Sequence, residues 1–171
     1  MRRAFALLAA LGLALTLASP AAAKGKPEIS PLEPTILDEA FLAGTCDFRA
    51  ELVDASSNSK LMLFPMAEDG SQLLRTTGGY VSTLTNLDTG ASIEIQYKSK
   101  IDFNVQPDGS QHIRSSGAVF VFVYDGDDFS AFEPGLYLVT GSMSGNYGPD
   151  GFALSPERVH GKVVDLCAAL S

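Results

Sequence analysis

Two stretches of this chain are closely similar, and they constrain the fold more than any other feature. "DGSQLLRTTGG" spans residues 69–79 and "DGSQHIRSSGA" spans residues 108–118. Each begins with Asp-Gly, a dipeptide favoured in tight hairpin turns because glycine accepts a positive φ. An apolar segment precedes each turn, and a short segment follows it as far as Gly78 or Gly117. The repeat therefore predicts two hairpins of an antiparallel meander.

The same repeat has a functional interpretation, a ligand site used twice. Arg75 and Arg114 occupy equivalent positions in the two copies, so the most specific form of this hypothesis is a paired anion site. The simpler explanation is two solvated arginines on exposed strand faces. A third Asp-Gly dipeptide, Asp150-Gly151, predicts one more hairpin turn.

Hydrophobic residues between the turns recur with the period of a β-strand. The segment from Cys46 to Leu52 alternates, and residues 60–66 form a second strand-like run. "LDTGA" predicts a hairpin between residues 80–86 and residues 92–98.

Two further segments add to this pattern. Apolar residues occupy odd-numbered positions from Ile93 to Val105. This fits either one long bent strand or a turn at "KSK" after which the apolar residues still fall on odd-numbered positions. "AVFVFVY", residues 118–124, is apolar on both faces, so we expect this strand to be covered on both sides. "GLYLVTGSMSGNY", residues 135–147, is the next predicted strand.

The whole pattern predicts an all-β protein of about eight to ten strands with almost no helix. We expect an antiparallel meander that closes into a small β-barrel, with a β-sandwich as the alternative. Near the end of the chain, four apolar residues have the spacing of a short helix, although residues 158–164 suit a last strand equally well. They are Val163, Leu166, Cys167 and Leu170.

The ends of the chain suggest a secreted protein. Arg2 and Arg3, an apolar run and the small residues up to Ala23 have the form of a signal peptide over residues 1–23. The alternative, an uncleaved anchor helix, is disfavoured because the apolar run is short for a membrane span. Residues 24–43 are expected to form an arm with a short helix, and residues 44–171 the β-barrel domain.

Charge and cysteine content limit the partners. Removing the two arginines of the signal peptide takes the net charge from −8 to −10, and no basic stripe is visible in the sequence. We therefore expect neither nucleic acid nor an anionic membrane as a partner. Cys46 and Cys167 are expected to form a disulfide in an oxidising compartment.

One short sequence motif resembles an enzyme active site. Asp88-Thr89-Gly90 resembles the active-site loop of aspartic proteases, in which two such carboxylates share one proton. The chain holds one copy, so a protease would have to be a dimer. Thr85 and Asn86 stand where that family has aliphatic residues, and a plain hairpin also explains the string.

Other chemistry is poorly supported. Met143 occupies the centre of "GSMSG" where a hydrolase would need serine. His112 and His160 lack the cysteine or carboxylate partners of a zinc site. Asp125, Asp127 and Glu133 make up only part of a calcium loop, so an acidic turn is the better interpretation. We expect no metal and no cofactor.

Several short strings together resemble small secreted proteins of actinobacteria that have no assigned function. They are "CDF" at residue 46, "TNLDTG", the "PDGS" turn, "PGLYLVTG" and the closing "DLCAAL". The resemblance implies an extracellular β-barrel-like domain of the allene-oxide-cyclase or lipocalin type. It implies no catalytic residues.

The sequence thus favours a secreted, non-catalytic domain that binds an unknown small molecule or extracellular protein. In a small barrel, alternate residues face inward and line any ligand cavity. The candidates for that wall are two rows of apolar residues. A tyrosine hydroxyl in either row would orient the ligand. The alternative is that both rows only pack in the core. The two rows are Phe120, Phe122 and Tyr124, and Ile93, Ile95 and Tyr97. Other hypotheses are a surface-interaction domain and a dimeric aspartic protease using Asp88.

Overall fold

The structure is a computed structural model that describes residues 25–124, 132–148 and 155–171. Three predicted features lie outside the described residues: the signal peptide over residues 1–23, the Asp150-Gly151 turn, and the acidic positions Asp125 and Asp127. The described chain is all-β and antiparallel, as the alternating pattern predicts.

Within these ranges the chain forms nine strands and two short helices. In order they are β1 (Glu28–Pro31), β2 (Ile36–Leu37), α1 (Glu39–Leu42), β3 (Ala50–Ser57), β4 (Lys60–Leu63), β5 (Gln72–Asn86), β6 (Ser92–Val105), β7 (Gln111–Val123), β8 (Gly135–Tyr147), β9 (Ser155–Asp165) and α2 (Leu166–Leu170).

All nine strands belong to one sheet. Its main order is β1-β4-β5-β6-β7-β8-β9, and the β2–β3 pair joins it through β5. In the part of the chain that the structure describes, β1 pairs only with β4 and β9 only with β8. The sheet is therefore open, and closure into a barrel is not confirmed.

The repeated stretches are hairpin turns. At the β4–β5 turn, Asp69 Oδ1 accepts hydrogen bonds from the Ser71 amide at 2.9 Å and the Ser71 hydroxyl at 2.7 Å. Asp108 and Ser110 repeat the same bonds at the same distances in the β6–β7 turn. The glycine after each aspartate has a positive φ, as this turn chemistry requires.

Several strands are longer than the sequence pattern indicates. The segments on either side of Gly78, expected as separate strands, merge into β5, and the segments around Gly117 merge into β7. β6 is one strand over Ser92–Val105, which selects the long-strand alternative over a turn at "KSK". The first predicted strand begins later, since β3 starts at Ala50 rather than Cys46.

A line of small residues crosses the sheet where the long strands bend. Gly78 of β5 pairs with Ser99 of β6, which pairs with Gly117 of β7, and the row continues through Gly141 of β8 to Gly161 of β9. We call this row the glycine line. A Cβ at Gly117, where φ is +93°, would collide with the backbone carbonyl of Lys98. Only glycine permits such a close approach of strands there.

The glycine line divides the sheet into two halves. Pairing between β6 and β7 runs from Val105–Gln111 to Ser99–Gly117 and stops there, although both strands continue. In what we call the continuous half, residues 100–105 and 111–116 are hydrogen-bonded neighbours. In the split half, residues 92–98 and 118–123 part, and their side chains meet across the main core, as Tyr97 and Phe120 do at 4.9 Å between ring centroids.

The core of the split half is apolar and closed at one end by helices. Leu84 of β5 and Leu136 of β8 are fully buried within it, and Leu42 of α1 and Leu166 of α2 pack against the same cluster. On β7, Phe120 and Phe122 face this core while Val121 and Val123 are buried in a second cluster on the other face. This strand is covered on both sides, as predicted.

The predicted disulfide is confirmed. Cys46 and Cys167 are bonded, with a Cα–Cα distance of 5.5 Å and a sequence separation of 121 residues. The bond joins the segment before β3 to α2, so it ties the two ends of the described domain together. It is compatible with an extracellular location, where disulfides persist.

The N-terminal arm has structure of its own. β1 pairs with β4, β2 pairs with β3, and Asp38 caps the N-terminus of α1, where its carboxylate accepts a hydrogen bond from the Phe41 amide at 3.0 Å. An acidic N-cap satisfies an amide that the helix leaves unpaired. Residues expected to form mainly a linker therefore lie along the sheet.

Candidate functional site

The Asp-Thr-Gly string forms the β5–β6 hairpin. Asn86 Oδ1 accepts hydrogen bonds from the amides of Asp88 and Thr89 at 2.9 and 3.2 Å, and Gly90 has a φ of 75°. The Asn86 amide group also donates to the Leu170 carbonyl at 3.0 Å, which fixes α2 to this hairpin. Asn86, a departure from the protease pattern, is thus a buried structural residue.

The Asp88 carboxylate is engaged with Arg49. It accepts hydrogen bonds from Arg49 Nε at 2.6 Å and from the Arg49 amide at 3.1 Å. The hydrogen bond from the Arg49 side chain lowers the pKa of Asp88 below its usual range. A shared-proton dyad needs one carboxyl group whose pKa is raised. The geometry of Asp88 therefore supports a structural role.

The six candidate wall residues separate into two groups. Ile93, Ile95 and Phe122 belong to the main core, and the Tyr124 hydroxyl donates to the Phe41 carbonyl at 3.2 Å. Tyr97 and Phe120 also pack against this core, but in addition they line a cleft of about 260 Å³. The structure thus brings together one residue from each predicted row, at the point where β6 and β7 part.

The cleft, which we call the aromatic cleft, has stacked rings on one wall. Tyr80 of β5 and Tyr97 of β6 are cross-strand partners whose rings stack with centroids 4.9 Å apart and an interplanar angle of 11°. Phe120 meets Tyr97 edge to face, at 4.9 Å and 75°. Ser99 and Ile101 continue the wall along β6. A flat apolar group in the cleft would find aromatic rings in its lining.

Polar groups lie at one side of the aromatic cleft. Tyr97 hydrogen-bonds Ser82, and the Ser82 hydroxyl donates to Asp54 Oδ1 at 2.5 Å. Burial raises the pKa of Tyr97, so its hydroxyl keeps its proton throughout the physiological range. Asp54 also lines the cleft. A mostly apolar pocket with a few placed polar groups is the usual form of a small-molecule site.

The N-terminal arm forms the remaining side. Leu32, Glu33 and Thr35 line the aromatic cleft between β1 and β2. Two backbone bonds hold this segment in place: the Leu32 amide donates to the Ser59 carbonyl, and the Asp54 amide donates to the Thr35 carbonyl, each at 2.9 Å. The arm is therefore part of the site.

Sequence patterns did not identify Tyr80 and Asp54 as site residues. The signal for Tyr80 was available, because counting outward from the "LDTGA" hairpin pairs residue 80 with residue 97. Asp54 gives no such signal, since its position in the site depends on β3 pairing with β5 rather than with its chain neighbour β4.

The other chemical candidates remain separate from this cleft. Met143 is buried in the second core cluster. His112 contacts Asn146 and Arg114 rather than a metal-binding partner, and no group of three or more metal-ligating side chains occurs among the residues described. Glu133 carbonyl oxygen accepts a hydrogen bond from the Tyr137 hydroxyl at 3.0 Å.

The two equivalent arginines of the repeat flank the same residue. Arg75 and Arg114 are the cross-strand neighbours of Asp102 on β6. Arg75 binds Asp102 through two hydrogen bonds and lies over the Phe64 ring at 5.4 Å. Arg114 does not share this ion pair. The two arginines therefore differ in their contacts although their positions in the repeat match.

The described chain contains no helix long and apolar enough to cross a membrane. Comparison with known proteins adds no relative: no family model, no curated protein and no solved structure matches this chain.

Proposed function

We propose that this protein is a secreted, non-catalytic binding domain whose ligand is a small apolar or aromatic molecule held in the aromatic cleft. The observation that carries the proposal is the cleft itself, where the stacked Tyr80–Tyr97 pair and the edge of Phe120 meet. Its volume, about 260 Å³, suits a ligand of one or two rings. The Tyr97 hydroxyl and the Asp54 carboxylate orient the ligand in the cleft.

The proposal does not need a closed barrel. The cleft lies beside the contact between Tyr97 and Phe120, where β6 and β7 part at the glycine line. Two features support a binding role over catalysis. Asp88 is held in an ion pair, and the described lining of the aromatic cleft has two carboxylates, Glu33 and Asp54, but no histidine, cysteine or lysine.

Binding of a neutral fluorescent probe such as N-phenyl-1-naphthylamine tests the proposal. A neutral probe avoids any contribution from charged surfaces. We expect saturable binding by the native protein and an affinity loss of about threefold to tenfold for Phe120→Leu, because an aromatic contact is worth about 1 kcal/mol.

Phe122→Leu is the matched control. It makes the same change two residues along the same strand, but Phe122 packs in the core and does not line the cleft. We expect it to reduce stability and leave the probe affinity unchanged. A native protein that binds no probe, or an equal loss of affinity in both variants, would contradict the proposal.

A further inference from the structure

One face of the continuous half gathers most cations of the described chain. The registers of six strands align two rows of side chains, two residues apart on every strand and hence on one face. The first row is Met62, Arg75, Asp102, Arg114, Ser144 and Arg158; the second is Lys60, Thr77, Lys100, Ser116, Ser142 and His160. Five of these twelve side chains are lysine or arginine, and Asp102 is the single carboxylate. We call these rows the cationic face.

Asp102 is already neutralised by cations other than Arg114. Arg75 donates to its two oxygens at 2.5 and 2.9 Å, and Lys100 Nζ lies 3.5 Å from Oδ2. Among the residues with described side chains, neither Arg114 nor Arg158 forms an ion pair. Two positive charges on neighbouring parts of the face thus have no carboxylate partner among the side chains that the structure describes.

A side-chain contact holds Arg114 in position. Its Nε donates to His112 Nε2 at 3.1 Å, so this ring nitrogen is the acceptor. The His112 Nδ1 then carries the proton and donates to Asn146 Oδ1 at 2.7 Å. The chain from Asn146 through His112 to Arg114 uses Nε of the guanidinium and leaves its terminal nitrogens free to bind another group.

The part of the cationic face on β7, β8 and β9 forms a cleft of about 520 Å³. Apart from Met143 its lining is polar: His112, Arg114, Ser115, Ser142, Ser144, Arg158 and His160. Arg114 and Arg158 flank Ser144 from the two neighbouring strands. Adjacent strands lie about 4.8 Å apart, so the two arginine backbones are roughly 10 Å apart, and an arginine side chain is long enough to contact a group above Ser144 from either strand.

The backbone is irregular at this point. The β8–β9 register shifts between Ser144 and Gly145, with Arg158 as the last residue before the shift. Such bulges change the direction of nearby side chains and are frequent beside binding sites.

We propose that this cleft binds a tetrahedral oxyanion, a phosphate or sulfate group of a small ligand, between the guanidinium groups of Arg114 and Arg158. A planar carboxylate has two oxygens, and one guanidinium satisfies both. A phosphate or sulfate ester has three free oxygens, which match two arginines and the Ser144 hydroxyl. The site uses residues other than those of the aromatic cleft, and it goes beyond the proposed function.

The cationic face also explains why the sequence gives no sign of the site. Its cations are scattered from residue 60 to residue 158 in an acidic chain, and only the strand registers align them. The anion site suggested by the repeat used Arg75 with Arg114. The structure places Arg75 on Asp102, so the pair that remains for an anion is Arg114 with Arg158.

Calorimetric titration of the purified chain with inorganic phosphate, inorganic sulfate and acetate, in low-salt chloride buffer, tests the proposal. We expect saturable binding of phosphate or sulfate and weaker binding of acetate; comparing the first two identifies the preferred group. Arg114→Gln and Arg158→Gln should each weaken binding roughly tenfold, because a charge-assisted hydrogen bond is lost. Asp102→Asn should strengthen it, since the single carboxylate of the face is removed.

Arg49→Gln is the matched control. It removes the same kind of side chain from the residue just before β3, where Arg49 pairs with Asp88 of the β5–β6 hairpin, and binding should change less than twofold if the site is local. An equal loss in Arg49→Gln and Arg114→Gln would overturn the proposal, because it would show a general charge effect. Binding to vesicles of anionic lipid without binding to soluble phosphate or sulfate would also overturn it, in favour of a membrane surface.

Discussion

The two halves of the sheet share their strands but differ in what their side chains do. In the split half, the strands bury Leu84 and Leu136 completely between facing side chains. In the continuous half, the same strands carry Arg114, Ser116 and other exposed polar residues. The comparison shows that one set of long strands can supply an apolar core on one side of the glycine line and an exposed polar face on the other.

The two halves differ in the interactions that stabilise their strands. Where β6 and β7 pair, the backbone is hydrogen-bonded and one face is free for polar side chains. Where they part at Ser99 and Gly117, the two groups of strands face each other, and burial of apolar area replaces cross-strand pairing as the main favourable term. The aromatic cleft lies at the boundary between the paired and the separated parts of β6 and β7.

The largest expected effect comes from removing the disulfide that closes the split half. A bond between residues 121 apart constrains a long loop, which the chain-entropy model values at about 5 kcal/mol. We expect the Cys46→Ser, Cys167→Ser double variant to lose about that much free energy of unfolding in urea. Two reactive thiols in the native, unreduced protein would contradict the assignment.

The boundary itself is tested by Gly117→Ala. A methyl group there would collide with the Lys98 carbonyl in a backbone conformation that alanine adopts only with strain, so we expect a loss of about 4 kcal/mol in the free energy of unfolding. Gly90→Ala is the matched control, because Gly90 also has a positive φ but no atom within 4 Å of the new methyl group. It should cost about 1 to 2 kcal/mol. Equal losses would remove the steric argument for the glycine line.

A matched pair on β6 compares the halves directly. Ile95 is 8% exposed and lies in the core of the split half, whereas Ile101 is half-buried in the continuous half and lines the aromatic cleft. We expect Ile95→Ala to lower the free energy of unfolding by about 3 kcal/mol and Ile101→Ala by about 1 kcal/mol. Chemical denaturation of both variants measures the difference. A reversed order would show that the continuous half contributes more to stability than its burial indicates.

The smallest expected effects concern two aspartates paired with arginines. The Arg75 hydrogen bond lowers the pKa of Asp102 below its value in the unfolded chain, about 3.9. The folded state then binds fewer protons, so this carboxylate stabilises the fold above about pH 4 and loses that effect as the pH falls through its folded pKa. Asp102→Asn should therefore lower stability at neutral pH and flatten its loss in acid, measured by thermal unfolding from pH 7 to pH 2.

Asp88→Asn provides the comparison in the split half. Its pKa is also lowered, first by the Arg49 side chain, but its side chain is 43% exposed against 24% for Asp102. We expect Asp88→Asn to change stability in the same direction as Asp102→Asn but by less, because solvent screens the more exposed ion pair. Any activity of the protein should survive this substitution. Pepstatin-sensitive peptide cleavage that disappears in Asp88→Asn would contradict a structural role for Asp88.

Much of the fold was predictable because its signals are local. Asp69-Gly70 and Asp108-Gly109 identify two turns by the φ that glycine allows, and the bounds of β8 match the predicted residues 135–147. The two cysteines had no alternative partner. In the candidate site, Tyr97 and Phe120 came from alternation alone, since aromatic residues of one parity share a strand face.

The sequence by itself determined the all-β class, most of the strand-forming segments, two Asp-Gly turns and the disulfide, because each depends on residues close together in the chain or on two cysteines alone. Only the tertiary structure decided that the glycines form one line, that β6 and β7 part there, and that Arg114 meets Arg158 across Ser144. These features depend on the registers of strands distant in sequence. Registers are fixed by the sum of many cross-strand contacts, which no local pattern contains.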